Sequence, residues 1–204
     1  MKTLINTVLK SSLVAVILSA SLFSMNASAA TVPADKVAAM NTDIKKVVVT
    51  GTTKVILIQS VNESVSIDES DLDKVSVQQI GNTLTISSSE KNPVTVIVYV
   101  KDIYRIDASD KASVNTAGNF TSKALQIMLK GDASARVKAK TESLYTVIND
   151  HANLQLMGTS DDHISKITGL AKINTDKFAA LKTEDINISE RVTASASGKE
   201  ISGN

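Results

Sequence analysis

From Ile44 onward, apolar and polar positions alternate with a period of two, in short β-branched runs separated by clusters of Gly, Asn, Asp, Ser and Glu. The runs fall at residues 47–50, 55–58, 65–67, 75–77, 84–86 and 94–100, and Gly81-Asn82 between two of them predicts a tight turn. Helical periodicity is absent past residue 44, except around residues 176–181. The pattern predicts an all-β fold. Ahead of it, residues 30–43 read as a linker or a short helix around 34–40, with Pro33 and several small residues.

The second half repeats itself. Ala112, Ala133, Ala152, Ala171 and Val192 anchor five aligned segments spaced 19 or 21 residues apart. Two positions on stand Val114, Ala135, Leu154, Ile173 and Ala194; four positions before stand Ala108, Leu129, Ile148, Ile167 and Ile188. These columns are apolar throughout. The columns one and three positions past the anchor are polar throughout: Ser113, Ser134, Asn153, Lys172 and Thr193, then Asn115, Arg136, Gln155, Asn174 and Ser195. Each unit reads as strand, bend, strand and a connection, the connections being 117–124, 138–143, 157–162 and 176–183. Two short strands cannot bury a face alone, but stacked units can. The expected architecture is a parallel β-helix or β-solenoid with coils of about 19–21 residues, capped by N-terminal strands at residues 47–58. Two positions before the anchor, acid and glycine alternate: Asp110, Gly131, Asp150, Gly169 and Glu190. With coils ~4.8 Å apart, the alternation keeps like charges about two coils from one another, and Gly suits a bend that needs positive φ.

The first residues are of another kind. Lys2 and Lys10 precede a short apolar run at 13–22, and Ala27-Ser28-Ala29 follows it, which is the pattern of a secretory signal peptide cleaved after Ala29. The run is too short to span a bilayer, which takes ~20 apolar residues. The expected organisation is a signal peptide at 1–29, the linker at 30–43, one β-solenoid domain at 44–198 and a tail at 199–204.

Composition removes several function classes. The 204 residues include no Cys and no Trp, and 3% are aromatic. Disulfides, thiolate metal sites and Cys nucleophiles are therefore out. The formal net charge is +1, falling to about −1 without Lys2 and Lys10, so no nucleic-acid partner is indicated.

The series 44–51, 55–59, 65–67, 81–86 and 94–100, with the bends Leu129-Lys130-Gly131-Asp132-Ala133-Ser134 and Gly169-Leu170-Ala171, resembles the putative auto-transporter adhesin, head GIN domain family. The resemblance covers residues 43–197. It implies a β-helical solenoid, secretion and a role in cell adhesion, and it carries over no catalytic residue. The bends here read Asp110-Lys111, Gly131-Asp132, Asp150-His151 and Gly169-Leu170, where the family usually has Gly-Ser-Gly-like turns.

The remaining chemistry is sparse. His151 and His163, with Asp150, Asp161 and Asp162, fall on different edges of a coil, where ligands would not converge within ~2 Å of a metal, so both are expected as solvated loop residues. Asp68, Glu69, Asp71 and Asp73 read as a solvated turn rather than a glycosidase pair. No cofactor, metal or catalytic site is expected. The best candidate is the outward polar ladder Asn115, Arg136, Gln155, Asn174 and Ser195, suited to a glycan or protein surface; Tyr99, Tyr104 and Tyr145 read as packing residues. The expected function is an exported, non-enzymatic, adhesin-like binding module. The alternatives are a periplasmic structural or stress-associated protein without adhesive role, and a polysaccharide-active enzyme. Only six residues follow Gly198, too few for a membrane barrel. Periplasmic residence is therefore the default, surface or extracellular display would need a separate secretion partner, and the solenoid ends offer a route to homo-oligomers.

Overall fold

The computed structural model describes residues 36–38 and 43–187, all within the second of two compact units, Pro33–Asn204. The described residues are all-β, built as one curled, open sheet. Its strands are β1 (Lys36–Ala38), β2 (Lys46–Gly51), β3 (Thr53–Gln59), β4 (Ser64–Ile67), β5 (Ser76–Ile80), β6 (Thr83–Ser88), β7 (Val94–Val100), β8 (Arg105–Ala108), β9 (Ser113–Ala117), β10 (Phe120–Leu129), β11 (Ser134–Ile148), β12 (Asn153–Ile167) and β13 (Lys172–Asn187). The stretch expected as a linker or short helix thus contributes an extended strand at residues 36–38. The predicted turn at Gly81-Asn82 joins the antiparallel pair β5 and β6, with Gly81 at φ +59°.

The repeat columns are real neighbours. Ser134 pairs with Ser113 and with Asn153, and Asn153 pairs with Lys172, all in parallel strands. β11 stays in register with β12 from Ser134 to Ile148, each residue meeting the one nineteen positions on. Fifteen extended residues would run ~50 Å, yet a four-residue bend returns the chain from Ile148 to Asn153, beside the start of the same strand. The strand must therefore curl. Its corner lies at Glu142-Ser143, two consecutive exposed residues that break the alternation, matched by Lys123-Ala124 in β10 and Asp161-Asp162 in β12. Inside the corner, buried hydroxyls replace apolar groups: Ser122 Oγ donates to the carbonyls of Ile103 (3.1 Å) and Ala124 (3.0 Å), and Thr141 Oγ1 donates to Ser160 Oγ (2.9 Å). The expected connections at 138–143 and 157–162 are therefore parts of continuous strands. Residues 176–181, whose spacing hinted at a helix, likewise belong to β13.

One column slips. Between Gln155 and Met157 the register to β13 shifts by a residue, so Ile167 pairs with Asn187 rather than the expected Ile188, which lies outside the described residues, as do Glu190, Val192, Thr193, Ala194 and Ser195. The extra residue in β13 is a bulge.

The order of strands in space departs from the order in the chain. β2 pairs with both β6 and β8, and β3 with both β7 and β9. Residues 47–58 are thus interior strands, which corrects their expected role as a cap. Val47, Val49, Val55 and Leu57 are all fully buried. The antiparallel additions cover that end instead, β4 and β1 beyond β7, and β5 beyond β6. The apolar columns Ala112/Ala133/Ala152, Val114/Ala135/Leu154 and Ala108/Leu129/Ile148 all join one continuous core. Dominated by Val, Ile, Leu and Ala, that core fits a chain so poor in aromatic residues.

Candidate functional site

Alternation along the strands sends every second side chain outward, and the parallel registers align these into rows. Lys54, Ser113, Ser134, Asn153 and Lys172 form one row across β3, β9, β11, β12 and β13. Asn115, Arg136, Gln155 and Asn174 form the next. Four of the five ladder residues expected from the sequence therefore come together, and Ser195 lies outside the described residues. Both rows line a groove of about 780 Å³ in which no lining residue is acidic among the described residues. Arg136 donates from Nε to Gln155 Oε1 at 2.7 Å, which orients the guanidinium, and its other N–H groups meet no acceptor among the described residues. Asn174 Nδ2 donates to Asp176 Oδ2 at 2.8 Å, and Asn153 Nδ2 to the His151 carbonyl at 3.0 Å.

Lys54 extends the first row, and sequence reasoning missed it. Its strand shows the same period of two, but that periodicity carries no information about which strand lies beside it. A smaller groove of about 330 Å³ lies along Val48, Arg105, Asp107 and Val147. Within it Asp107 binds Lys46 Nζ at 2.8 Å and Arg105 Nε at 2.7 Å, while Lys130, also on its lining, is in no ion pair among the described residues.

Of the other sequence candidates, Asp73 and Asp110 come together, lining a groove of about 470 Å³ with Lys74. Residues Glu69–Asp71 form an exposed 3-10 turn, whose preceding Asp68 accepts the Ser70 N–H at 2.9 Å. Asp110 and Asp150 lie two strands apart at equivalent bends, and each carboxylate accepts a glycine N–H, from Gly51 at 3.1 Å and Gly131 at 2.8 Å respectively. His151 is exposed at a bend, 4.0 Å from Asp132.

His163 is a correction. It sits in β12 with its side chain inward, 3% exposed, not in a solvated loop. Nε2 lies 3.1 Å from Thr146 Oγ1, and the ring meets Phe178 edge to face at 5.2 Å. Burial pushes its pKa down, opposed in part by the charge of Asp185. A His whose folded-state pKa lies below the unfolded value, ~6.5, binds its proton better when unfolded, so stability is lost as pH falls through that value. Thermal melting at pH 7.5 and 5.5 should show a drop at the lower pH, and His163→Phe should flatten it. An unchanged slope in that variant would assign the acid sensitivity elsewhere.

A family model matches residues 43–199, nearly the whole described region, with the description putative auto-transporter adhesin, head GIN domain. The chain belongs to that family. Among solved structures it is similar to a putative adhesin from Parabacteroides merdae, at 17% identity and TM-score 0.56, covering 76% of this chain and 77% of that one. A putative lipid binding protein from Parabacteroides distasonis matches at 16% identity and TM-score 0.56, over 76% and 78% of the two chains. A putative adhesin from the same organism matches at 14% identity and the same TM-score, over 76% and 77%. At these identities the likeness is one of fold. No curated protein matches the chain. The family membership agrees with the resemblance read from residues 43–197. Among the described residues, no helix is long and apolar enough to cross a membrane.

Proposed function

We propose that this chain is an exported, non-enzymatic, adhesin-like module, a β-solenoid of 19–21-residue coils whose outer polar face binds a glycan or protein surface. The observation that carries the reading is the five-strand groove, where amides, hydroxyls and three cations converge with no carboxylate among the described lining residues. A rigid parallel sheet holds these donors at fixed spacing, so little side-chain order is lost on binding. The acids outside the groove do not support hydrolysis. Asp110 and Asp150 each accept a backbone N–H, and the groove of about 470 Å³ that Asp110 shares with Asp73 also holds Lys74. Export rests on the signal pattern at 1–29, and surface or periplasm is a question for the same experiment.

Beads carrying the purified protein are expected to be retained on cells that display the ligand. Arg136→Ala combined with Gln155→Ala should cut that retention roughly tenfold or more, the scale of one lost charge-assisted contact. Gln126→Ala, on the outward side of β10 away from the groove, should leave it unchanged. Retention that is indifferent to the double variant would move the site off this face. No retention on any envelope or host surface, with the protein protected from protease on intact cells, would leave a periplasmic structural role.

A further inference from the structure

We infer that the groove recognises a linear acidic polysaccharide, laid across the strands and carrying about one carboxylate per disaccharide. The inference rests on the binding face proposed above and names its ligand. Its basis is the placement of the three cations. Lys54 lies on β3, Arg136 on β11 and Lys172 on β13, and the intervening strands β9 and β12 carry only Ser113, Asn115, Asn153 and Gln155 on the same rows. Positive charge thus recurs at every second strand. Two strand spacings are about 9.6 Å, close to the length of one disaccharide. A polymer crossing the sheet at right angles to the strands, between the two rows, would therefore meet Lys54 and Lys172 from one side and Arg136, two residues along its strand, from the other, with its hydroxyls over the neutral strands between.

The charges are available for such a ligand. Among the described residues, no carboxylate lies within 4 Å of Lys54, Arg136 or Lys172, while the ion pairs that do form engage Lys45, Lys46, Lys74 and Arg105. Asp110 and Asp150 accept glycine N–H groups, Asp132 lies 4.0 Å from His151, and Asp176 accepts from Asn174 Nδ2 at the edge of the groove. The groove also lacks what a neutral sugar needs. Among the described residues no aromatic ring lines it to give a platform for the apolar face of a pyranose, so binding comes from hydrogen bonds and charge. A fixed register favours a regular polymer over a protein surface, whose charges follow no such period.

The test uses a soluble polyuronate and the same polymer after its carboxyls are reduced to alcohols, titrated into the full protein by calorimetry. The acidic polymer should bind, weaken steeply with added salt and lose roughly tenfold or more on carboxyl reduction. Lys54→Gln and Lys172→Gln should each weaken it several-fold and Arg136→Gln about tenfold, with Lys123→Gln at the corner as an unaffected control. Equal binding of both polymers, unmoved by the Lys variants, would overturn the acidic ligand and leave a glycan-binding face standing. Binding to neither polymer, with Arg136-dependent retention on cells or on anionic phospholipid vesicles, would overturn the polysaccharide but keep the face. Failure of all of these would overturn both readings together.

Discussion

Replacing Ile148 by Asp is expected to destabilise the protein by about 5 kcal/mol, and replacing its neighbour Asn149 by Asp by less than about 1 kcal/mol. Ile148 is fully buried in the column between Leu129 and Ile167, at the inward end of β11. The exchange forfeits roughly 2–3 kcal/mol of apolar burial. It also places a carboxylate among Leu and Ile side chains with no partner, which costs several kcal/mol more unless the group takes up a proton. That escape has a signature. The carboxyl's folded-state pKa would be raised, so the variant should recover stability as pH falls, opposite in sign to the His163 effect in the parent. Asn149 is half-buried and accepts the Thr168 hydroxyl at Oδ1 (2.6 Å), a bond that a carboxylate keeps. Urea denaturation of the two variants decides the matter: similar midpoints would mean that the inside and outside of the strand have been exchanged.

The contrast between these neighbours was readable from the columns of Ile148 and Asn149 alone, because a period of two separates faces and a period of nineteen aligns copies. What those periods do not encode is the choice of partner where copies are imperfect. β2 and β3 show the alternation of any half-buried strand, and nothing in it announces that β6 and β7, later in the chain, pack on their far side. Lys54 was lost to the binding row for that reason. The corners were misread for another. Where Glu142 and Ser143 are both exposed the alternation lapses, and a lapse looks like a loop until the buried hydroxyls of Ser122, Thr141 and Ser160 are seen beneath it. His163, just past such a corner, inherited the error. Alternation of acid and glycine at the bends was legible, but charge spacing is only part of its cause. Asp110, Gly131, Asp150 and Gly169 all have positive φ, and the acids serve as acceptors for the glycine N–H one strand away.

Gly51 extends that same column, and Gly51→Ala is expected to cost about 3–4 kcal/mol. It pairs with Ser88 of β6, and β2 is paired on its other side with β8. Its φ is +68°, where a side chain costs about 1–2 kcal/mol. An added Cβ would stand 2.0 Å from the Ser88 carbonyl oxygen, which accepts the Thr52 N–H at 2.9 Å. Backbone cannot rotate out of the way as a side chain can. β2 and β6 would have to part, adding about 1–3 kcal/mol of overpacking in a strand held from both edges. Gly81→Ala isolates the first contribution, for Gly81 has a similar φ of +59° but nothing within 4 Å of a new Cβ. It should cost about 1–2 kcal/mol. The difference between the two variants, read from chemical denaturation, measures how tightly the inserted pair β2 and β3 is clasped. If both lost the same stability, the close approach of β2 to β6 would be looser than described, and the stack would tolerate opening at its one out-of-order joint.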